Sequence, residues 1–252
     1  MDEFRRPLHR RIAALLARMD GEFLSSARCY FGGGTQIVMA NGEYRESRDI
    51  DFLVRGEDLR ALRETVHEGS LGRVFRARVH LAREVRFDQY GIRTFIAEDA
   101  RAAAEAPIKF EIVVEGRIPL GGKPSSALGI PELDVPTAIA QKLLANADRG
   151  RDRAFFSRDL VDLAFFSARF TEAQFRAALR IARAAYGDAV LRELREACRV
   201  LEVDAAYRSR CARELLVEDP AGLREGVVRL RRLSRITAAR RAKSAGARGR
   251  KV

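Results

Sequence analysis

The sequence predicts an α+β protein, with a mixed sheet flanked by helices in its first half and a helical lobe in its second. Asp49–Val54 and Ile108–Val114 alternate polar or charged residues with apolar ones, which is the period of a strand with one buried face. After Pro136 the chain becomes rich in Ala, Leu and Arg, which favour helices. Strand patterns followed by helical patterns indicate two lobes.

The first lobe opens with an amphipathic pattern. Leu8 to Phe23 carries apolar residues at helical spacing with arginines between them, which predicts a first helix. A short apolar stretch, Arg28–Phe31, then runs into three glycines. The remaining predictions for this lobe are a helix that can start within Gln36–Ala40, a helix at 57–68, strands at Val74–His80 and Ile92–Ala97, and a turn at Gln89–Gly91.

The second lobe is predicted to be helical. The stretch before it, 119–136, is rich in Gly, Pro and Ser, which indicates a linker or surface loop. We expect an α/β lobe at residues 1–125, a helical lobe at 126–234 and a basic, disordered tail at 235–252. The predicted helices are Thr137–Ala147, Asp159–Ser167, Glu172–Tyr186, Ala189–Leu201, Asp204–Leu215 and one from Pro220 to about Ser234.

Composition excludes several classes of protein. The sequence lacks any run of about 18 apolar residues, so no segment should span a bilayer. The charged stretch Met1–Arg11 does not resemble a signal peptide, so we expect a cytoplasmic protein with no membrane partner. Cys29, Cys198 and Cys211 lack metal-type spacing, and buried or incidental thiols are the simplest interpretation.

Positive charge is concentrated at the C-terminus. The net charge is +12, and Val227–Val252 contains ten basic residues and no acidic one, which leaves +2 for the rest of the chain. A cationic segment suits an anionic partner such as RNA, because phosphate contacts release counterions. A solvated, partly disordered tail that only aids solubility explains the same pattern equally well.

The chemistry is concentrated in Asp49-Ile50-Asp51-Phe52. On a strand, Asp49 and Asp51 point to one face while Ile50 and Phe52 point into the core. Two carboxylates roughly 6–7 Å apart along a strand repel each other and are costly to desolvate. A divalent cation resolves that conflict, and hard oxygen ligands suit Mg²⁺ or Mn²⁺. An exposed or salt-bridged pair is the alternative.

A glycine run precedes this pair. Without a Cβ, Gly32, Gly33 and Gly34 let backbone N–H groups approach phosphate oxygens closely. If Thr35 begins a helix, its N-terminus adds donors and a favourable dipole, and the hydroxyl can cap the helix or contact a phosphate. A simple turn is the alternative.

Glu111 is the best candidate for a third carboxylate. It lies on a predicted strand and shares a face with Lys109, so it could help hold a metal that activates an acceptor hydroxyl. The alternative is a surface ion pair with Lys109.

In this order, these motifs resemble a known family. Phe31-Gly32-Gly33-Gly34-Thr35, Arg45–Arg48 and Asp49–Leu53 are similar to the first motif of the AbiEii/AbiGii nucleotidyltransferase toxins, within the DNA polymerase β-like superfamily. The resemblance continues through Ala140–Ala145, Arg149 and Arg158–Leu163. It implies a nucleotidyltransferase fold in the first lobe.

The resemblance also implies roles for individual residues. Gly33, Gly34, Thr35 and Arg48 would bind the nucleotide. Lys142 would neutralise phosphate charge, and Asp159 would orient the lysine or the acceptor. The implied metal ligands are Asp49 and Asp51, to which the strand pattern adds Glu111 as the candidate third ligand. The implied catalytic residues are Asp49, Asp51, Lys142 and Asp159.

We therefore predict a metal-dependent nucleotidyltransferase that transfers a nucleoside monophosphate from a nucleoside triphosphate such as ATP to an acceptor. The basic tail and the resemblance favour RNA, with the 3′ end of tRNA as the first candidate, and a toxin whose partner would be a cognate antitoxin. The alternatives are transfer to a protein or to a small molecule such as an antibiotic, and a non-catalytic module that binds RNA or nucleotides.

Overall fold

The computed structural model describes the backbone of residues 4–63, 71–97, 106–124 and 128–248, with side chains for all of these except Ala61 and 236–248. The chain divides into two compact units between Ala138 and Ile139. This division falls within a helix, whereas the sequence-based boundary is at 125–126, outside the described residues.

The first unit is built on one mixed sheet. Within the described residues its strands are β1 (Tyr30–Gly32), β2 (Asp49–Val54), β3 (His80–Leu81), β4 (Arg86–Asp88), β5 (Gly91–Ala97), β6 (Ile108–Val114), β7 (Gly122–Pro124) and β8 (Pro131–Leu133). Their order is β3-β5-β6-β2-β1-β8-β7, with β4 paired to β5. Strand β2 lies parallel to β6 and antiparallel to β1. The predicted α+β class with a mixed sheet is thereby confirmed.

In the described part of the first unit, four α-helices accompany the sheet, and a fifth crosses the division between the units. They are α1 (Pro7–Leu16), α2 (Gly21–Ser26), α3 (Gly33–Ala40), α4 (Gly56–Arg63) and α5 (Val135–Arg149). The single first helix predicted from Leu8 to Phe23 is wrong, because Asp20 caps a new helix by accepting a hydrogen bond from the N–H of Phe23 at 2.9 Å. Residues 64–68 of the helix predicted at 57–68 lie outside the described residues.

An aromatic core fixes the three central strands of the sheet, β1, β2 and β6. Phe52 on β2 is fully buried, and its ring lies 5.6 Å from that of Phe31 on β1 and 6.0 Å from that of Phe110 on β6. Phe75 lies 5.8 Å from Phe110 on the same side. Burial of these rings holds β1, β2 and β6 in register and so fixes the opposite face of β2.

Two sequence-based assignments in the first unit are wrong. Val74–His80 is not a strand, because its backbone pairs with the turn between α1 and α2: the N–H of Asp20 donates to Val74 and the N–H of Arg76 to Arg18. The segment predicted as a linker, 119–136, contributes β7 and β8, because β8 extends the sheet beside β1. Within 119–136, residues 125–127 lie outside the described residues.

The second unit is helical. Its elements after α5 are α6 (Arg158–Phe166), α7 (Glu172–Tyr186), α8 (Ala189–Val203), α9 (Ala205–Glu214) and α10 (Pro220–Arg248). Thr171 and Gln174 form a reciprocal cap at the start of α7. Helix α10 packs against α6 and α8 and continues beyond Ser234, where the sequence analysis ended it. In the part of the chain that the structure describes, no helix is both long and apolar enough to cross a membrane.

Candidate active site

Strand β2 presents two carboxylates on one face. Asp49 and Asp51 are partly buried, whereas Ile50 and Phe52 between and after them are fully buried on the opposite face. The strand alternation predicted from the sequence is therefore present. Because β2 lies in the interior of the sheet, its backbone is held on both sides, and the two acidic side chains have a rigid base.

The carboxylate of Asp51 lies against the glycine turn. Gly32 on β1 pairs with Asp51 across the antiparallel ladder, and the next residue, Gly33, has a φ of +72°. A Cβ built on Gly33 would lie 2.5 Å from Oδ2 of Asp51 and 3.0 Å from its Cβ. Only glycine satisfies both the backbone conformation and this close approach.

Helix α3 begins directly at this turn. Its first residues are Gly33 and Gly34, both partly buried, and its N-cap Gly32 offers no side chain to cap it. The first N–H groups of an α-helix have no partner within the helix, and they favour anions. The structure thus brings a helix N-terminus and the Asp51 carboxylate together, with a cation required if an anion is to bind beside that carboxylate.

The hydroxyl of Thr35 has a structural partner. It donates to the carbonyl oxygen of Asp49 at 2.5 Å and lies 2.8 Å from Oγ of Ser47. Thr35 is only 1% exposed. Its hydroxyl therefore fixes the start of β2, and a contact with nucleotide would have to come from its backbone N–H.

A buried relay that the sequence analysis missed connects this point to α1. The N–H of Ser47 donates to Nε2 of His9 at 3.1 Å, and Nδ1 of His9 lies 2.7 Å from Oε1 of Glu43. Nε2 accepts a hydrogen bond, so the ring proton sits on Nδ1, and the imidazole is neutral. Burial lowers the pKa of His9 below 6.5, despite the opposing effect of Glu43.

A sequence signal for this relay existed. His9 is fully buried and shares a helical face with Ile12 and Leu16, which are also fully buried. A histidine on the apolar face of a helix requires buried hydrogen-bond partners. Glu43 and Ser47 supply them from the segment between α3 and β2.

Glu111 lies beside Asp51 but is already paired with cations. The two residues are in register across the parallel β2–β6 ladder. Oε2 of Glu111 accepts from Nζ of Lys109 at 2.5 Å, and Oε1 lies 3.1 Å from Nε of Arg93. Among the described residues, no three Asp, Glu, His or Cys side chains form a group that could hold a metal. A metal ligand role for Glu111 stays a prediction.

Arg48 precedes the carboxylate pair. Its side chain is 73% exposed, and Nε lies 2.9 Å from Oε1 of Glu46. Since an exposed ion pair of this kind stabilises by only about 0.2–1 kcal/mol, Arg48 can exchange Glu46 for a phosphate at little cost.

The second unit contains a buried charge network around Lys142. Nζ of Lys142 lies 2.9 Å from Oδ1 of Asp159 and 2.7 Å from Oδ2 of Asp162. Arg149 donates from Nε to Oδ2 of Asp159 at 2.7 Å. Burial alone would raise the pKa of Asp159, but Lys142 and Arg149 outweigh it and hold that pKa well below its usual range.

This network explains why Lys142 and Asp159, which the family resemblance singles out, are in contact. Asp159 lies in the first turn of α6 and fixes the position of the Lys142 ammonium on α5. Lys142 is 6% exposed, whereas an isolated lysine on a helix surface is ordinarily solvated. Asp162, which is fully buried, is a further member that the sequence analysis did not single out.

The sequence matches one family model over most of its length. That model, described as nucleotidyl transferase AbiEii toxin of a type IV toxin–antitoxin system, matches residues 14–232. The chain belongs to the AbiEii family of nucleotidyltransferase toxins. AbiEii membership makes it a nucleotidyltransferase and places it in a toxin–antitoxin context, as predicted. No curated protein matches the sequence significantly.

Solved structures show the same fold as this AbiEii-family chain. JHP933 from Helicobacter pylori is 15% identical, with a TM-score of 0.56 over 96% of this chain and 95% of that chain. A candidate nucleotidyltransferase from H. pylori is 14% identical, with a TM-score of 0.56 over 93% and 95%. A weaker match is MenT4, a nucleotidyltransferase toxin from Mycobacterium tuberculosis, 17% identical, with a TM-score of 0.44 over 90% and 81%.

Proposed function

We propose that this chain transfers a nucleoside monophosphate from a nucleoside triphosphate to RNA, with the 3′ end of tRNA as the first candidate acceptor, and that Mg²⁺ or Mn²⁺ is required. The observation that carries the proposal is the placement of Asp51 against Gly33, with Asp49 on the same face of β2. Two carboxylates, which would bind the metal, and the start of α3, which would bind phosphate, lie together at this point.

The donor set fits a magnesium ion that is shared with the substrate. Mg²⁺ is usually bound by one or two carboxylates together with substrate phosphates and water, rather than by a cage of protein ligands. Asp49 and Asp51 supply two hard carboxylates, and Gly33 leaves room beside one of them. Glu111, next in register, would support Asp51 or join it as a ligand.

In the proposed reaction, an acceptor hydroxyl attacks the α-phosphorus in line with the leaving group. A new O–P bond forms, the bond to pyrophosphate breaks, and the hydroxyl loses its proton. When bound, the metal would favour the ionised hydroxyl and neutralise the charge that develops on pyrophosphate. The backbone N–H groups of Gly33, Gly34 and Thr35 would hold phosphate oxygens and orient the α-phosphate.

Cationic side chains complete the proposed chemistry. Arg48, which is exposed, would leave Glu46 for a phosphate of the nucleotide. Lys142 would neutralise phosphate charge, as the family resemblance implies, and Asp159 would hold its ammonium in position. A cognate antitoxin is the proposed protein partner.

The test is label transfer to RNA. The purified chain would be incubated with each α-labelled nucleoside triphosphate, Mg²⁺ and total cellular RNA. We expect label on RNA, no transfer in chelator, and a loss of at least about a hundredfold in Asp49→Asn and in Asp51→Asn. Glu57→Gln, which removes a 66% exposed carboxylate on α4, is the matched control and should retain activity.

The results separate the alternatives. Label on protein alone, or on a small molecule, would show that the acceptor is wrong while nucleotidyl transfer stands. Full activity in either Asp variant would overturn the assignment of the site. RNA binding that is equal in Mg²⁺ and in chelator, without transfer of any nucleotide, would indicate a non-catalytic binding module.

A further inference from the structure

The helical unit contains an arginine-lined groove that the proposed chemistry does not use. It has a volume of about 1520 Å³ and is lined by residues between Asn146 and Arg235, all of them in the second unit. Eight arginines line it, against three acidic residues. Such an excess of cations on one concave surface attracts an anionic ligand.

The side chains of three of these arginines reach solvent. Arg151, Arg192 and Arg199 are 74%, 66% and 57% exposed. Glu193, which pairs with both Arg151 and Arg192, is only 11% exposed, whereas Glu196, which pairs with Arg199, is 38% exposed. The Glu193 carboxylate orients the guanidinium groups of Arg151 and Arg192, which still have N–H donors for an incoming ligand.

A buried amide without a partner lines the same groove. Asn146 is 2% exposed, and within the described part of the chain neither its Oδ1 nor its Nδ2 has a hydrogen-bond partner. The buried Nε of Arg195, also in the lining, lacks a partner as well. A buried polar group that is left unpaired is destabilising, so a ligand that pairs with these atoms would recover that free energy.

One arginine lies over an aromatic ring. The guanidinium of Arg153 lies 4.3 Å from the ring centre of Tyr207, and both residues line the groove. The side chain of Arg153 pairs with Asp204 and is 63% exposed, so part of it can contact a ligand. Planar guanidinium groups and aromatic rings are the surfaces on which unpaired nucleobases stack.

Helix α10 extends beyond the groove. Arg231 and Arg235 line the groove, and the same helix goes on to Arg248. Four of the ten basic residues at the C-terminus lie on that continuation: Arg240, Arg241, Lys243 and Arg248. One helix therefore carries part of the groove lining and these four basic residues.

We propose that this groove binds the acceptor RNA, with its arginines on the phosphates and Asn146 on the edge of an unpaired base. This inference rests on the proposed function, because RNA is the acceptor there. An acidic peptide would satisfy the arginines, but it has no planar base to place on Arg153. An RNA base offers both donors and acceptors to an amide, as Asn146 requires.

The experiment measures RNA binding without catalysis. The full chain is titrated against labelled total tRNA in chelator, without nucleoside triphosphate, over a range of KCl concentrations. Arg192→Ala/Arg199→Ala/Arg235→Ala should raise the Kd at least about tenfold and lower the slope of log Kd against log salt by about 2–3. The matched control is Arg169→Ala/Arg213→Ala/Arg224→Ala, which removes three exposed arginines of the same unit that do not line the groove.

A second variant separates binding from folding. Asn146→Leu removes two unpaired polar atoms at similar volume, so its Tm should be equal to or above that of the wild type, while its Kd for RNA rises. A lower Tm with unchanged RNA binding would show that Asn146 is a structural residue. That outcome would overturn the proposal that Asn146 contacts an unpaired RNA base.

The outcomes also distinguish this inference from the proposed function. If RNA binds through the groove but no nucleotide is ever transferred to it, the proposed function fails and the groove assignment stands. If RNA is labelled normally and the groove variant binds it like the wild type, the groove assignment fails alone. Poly-glutamate is titrated in parallel as an acidic peptide. If the groove variant loses binding to poly-glutamate but binds RNA like the wild type, the groove would be assigned to an acidic protein and the proposal would be overturned.

Discussion

The carboxylate of Asp51 occupies the space that a side chain at position 33 would need. A Cβ on Gly33 would lie 2.5 Å from Oδ2 of Asp51, and the backbone at Gly33 has a φ of +72°. Gly33, the first residue of α3, and the carboxylate of Asp51 on β2 are therefore packed so closely that no side chain fits at position 33. The N-terminus of α3 can approach the carboxylate of Asp51 because Gly33 has no Cβ.

Gly33→Ala should reduce nucleotidyl transfer at least about tenfold, because the methyl group displaces the Asp51 carboxylate. The alanine side chain at this positive φ should also lower the free energy of unfolding by about 1–2 kcal/mol. Gly42→Ala is the matched control, since Gly42 has a φ of +81° but no atom within 4 Å of its Cβ position. It should lose similar stability and keep its activity in the label-transfer assay. Equal activity of the two variants would contradict the conclusion that transfer requires the close packing of Gly33 against Asp51.

Glu111→Gln should weaken the metal dependence of transfer. Gln keeps the shape of Glu111 but loses the charge that pairs with Lys109 and Arg93. We expect the Mg²⁺ concentration for half-maximal activity to rise several-fold, about 3–10 times, because Asp51 loses its carboxylate neighbour. Asp88→Asn, which removes the other carboxylate partner of Arg93, is the control. An unchanged Mg²⁺ requirement would remove Glu111 from the metal site.

His9 should make the stability of the chain depend on pH. The unfolded histidine titrates near 6.5, whereas burial lowers the pKa of folded His9. Between these two pKa values the unfolded chain binds more protons, so the free energy of unfolding falls as the pH drops below about 6.5. His9→Gln should flatten this dependence, because Gln can donate to Glu43 and accept from Ser47 without titrating. Urea unfolding at about pH 7.5 and about pH 5.5 measures the difference.

Lys142→Met should destabilise the second unit by about 3–5 kcal/mol, because it leaves Asp159 and Asp162 buried without their shared ammonium. Lys142→Met/Asp162→Asn removes one of these carboxylate charges, and Asp159 retains Arg149. The double variant should therefore recover much of the lost stability, as measured by thermal unfolding. If Lys142 neutralises phosphate, transfer stays low in the double variant. Recovery of both stability and activity would make Lys142 a purely structural residue.

The central strands were predictable because each of them packs one face into a core. Asp49–Val54 and Ile108–Val114 have the bounds that the alternation gives, since every second residue meets the same aromatic cluster. Val74–His80 has apolar residues too, but its backbone hydrogen bonds go to the turn after α1. Alternation in a short segment reports burial and does not identify the partner backbone.

Asp49 and Asp51 could be found from the sequence, but the residues that hold the start of β2 in place could not. Asp49 and Asp51 are two residues apart, so the strand period alone relates them. Thr35, Ser47 and His9 come from three separate elements, and only the folded backbone brings them together. The lysine network needed both the resemblance and the fold, because Lys142 and Asp162 lie on different helices.

The pairing of β2 with β6 also depends on a distant part of the chain. Residues 55–107 separate these two strands, so the Asp51 and Glu111 pair forms only after a segment of that length has been brought back to β2. During synthesis the first 54 residues already carry Gly33, Asp49 and Asp51, but β2 then lacks its parallel neighbour. Asp51 therefore acquires its neighbour Glu111 only after the strands between them have been made.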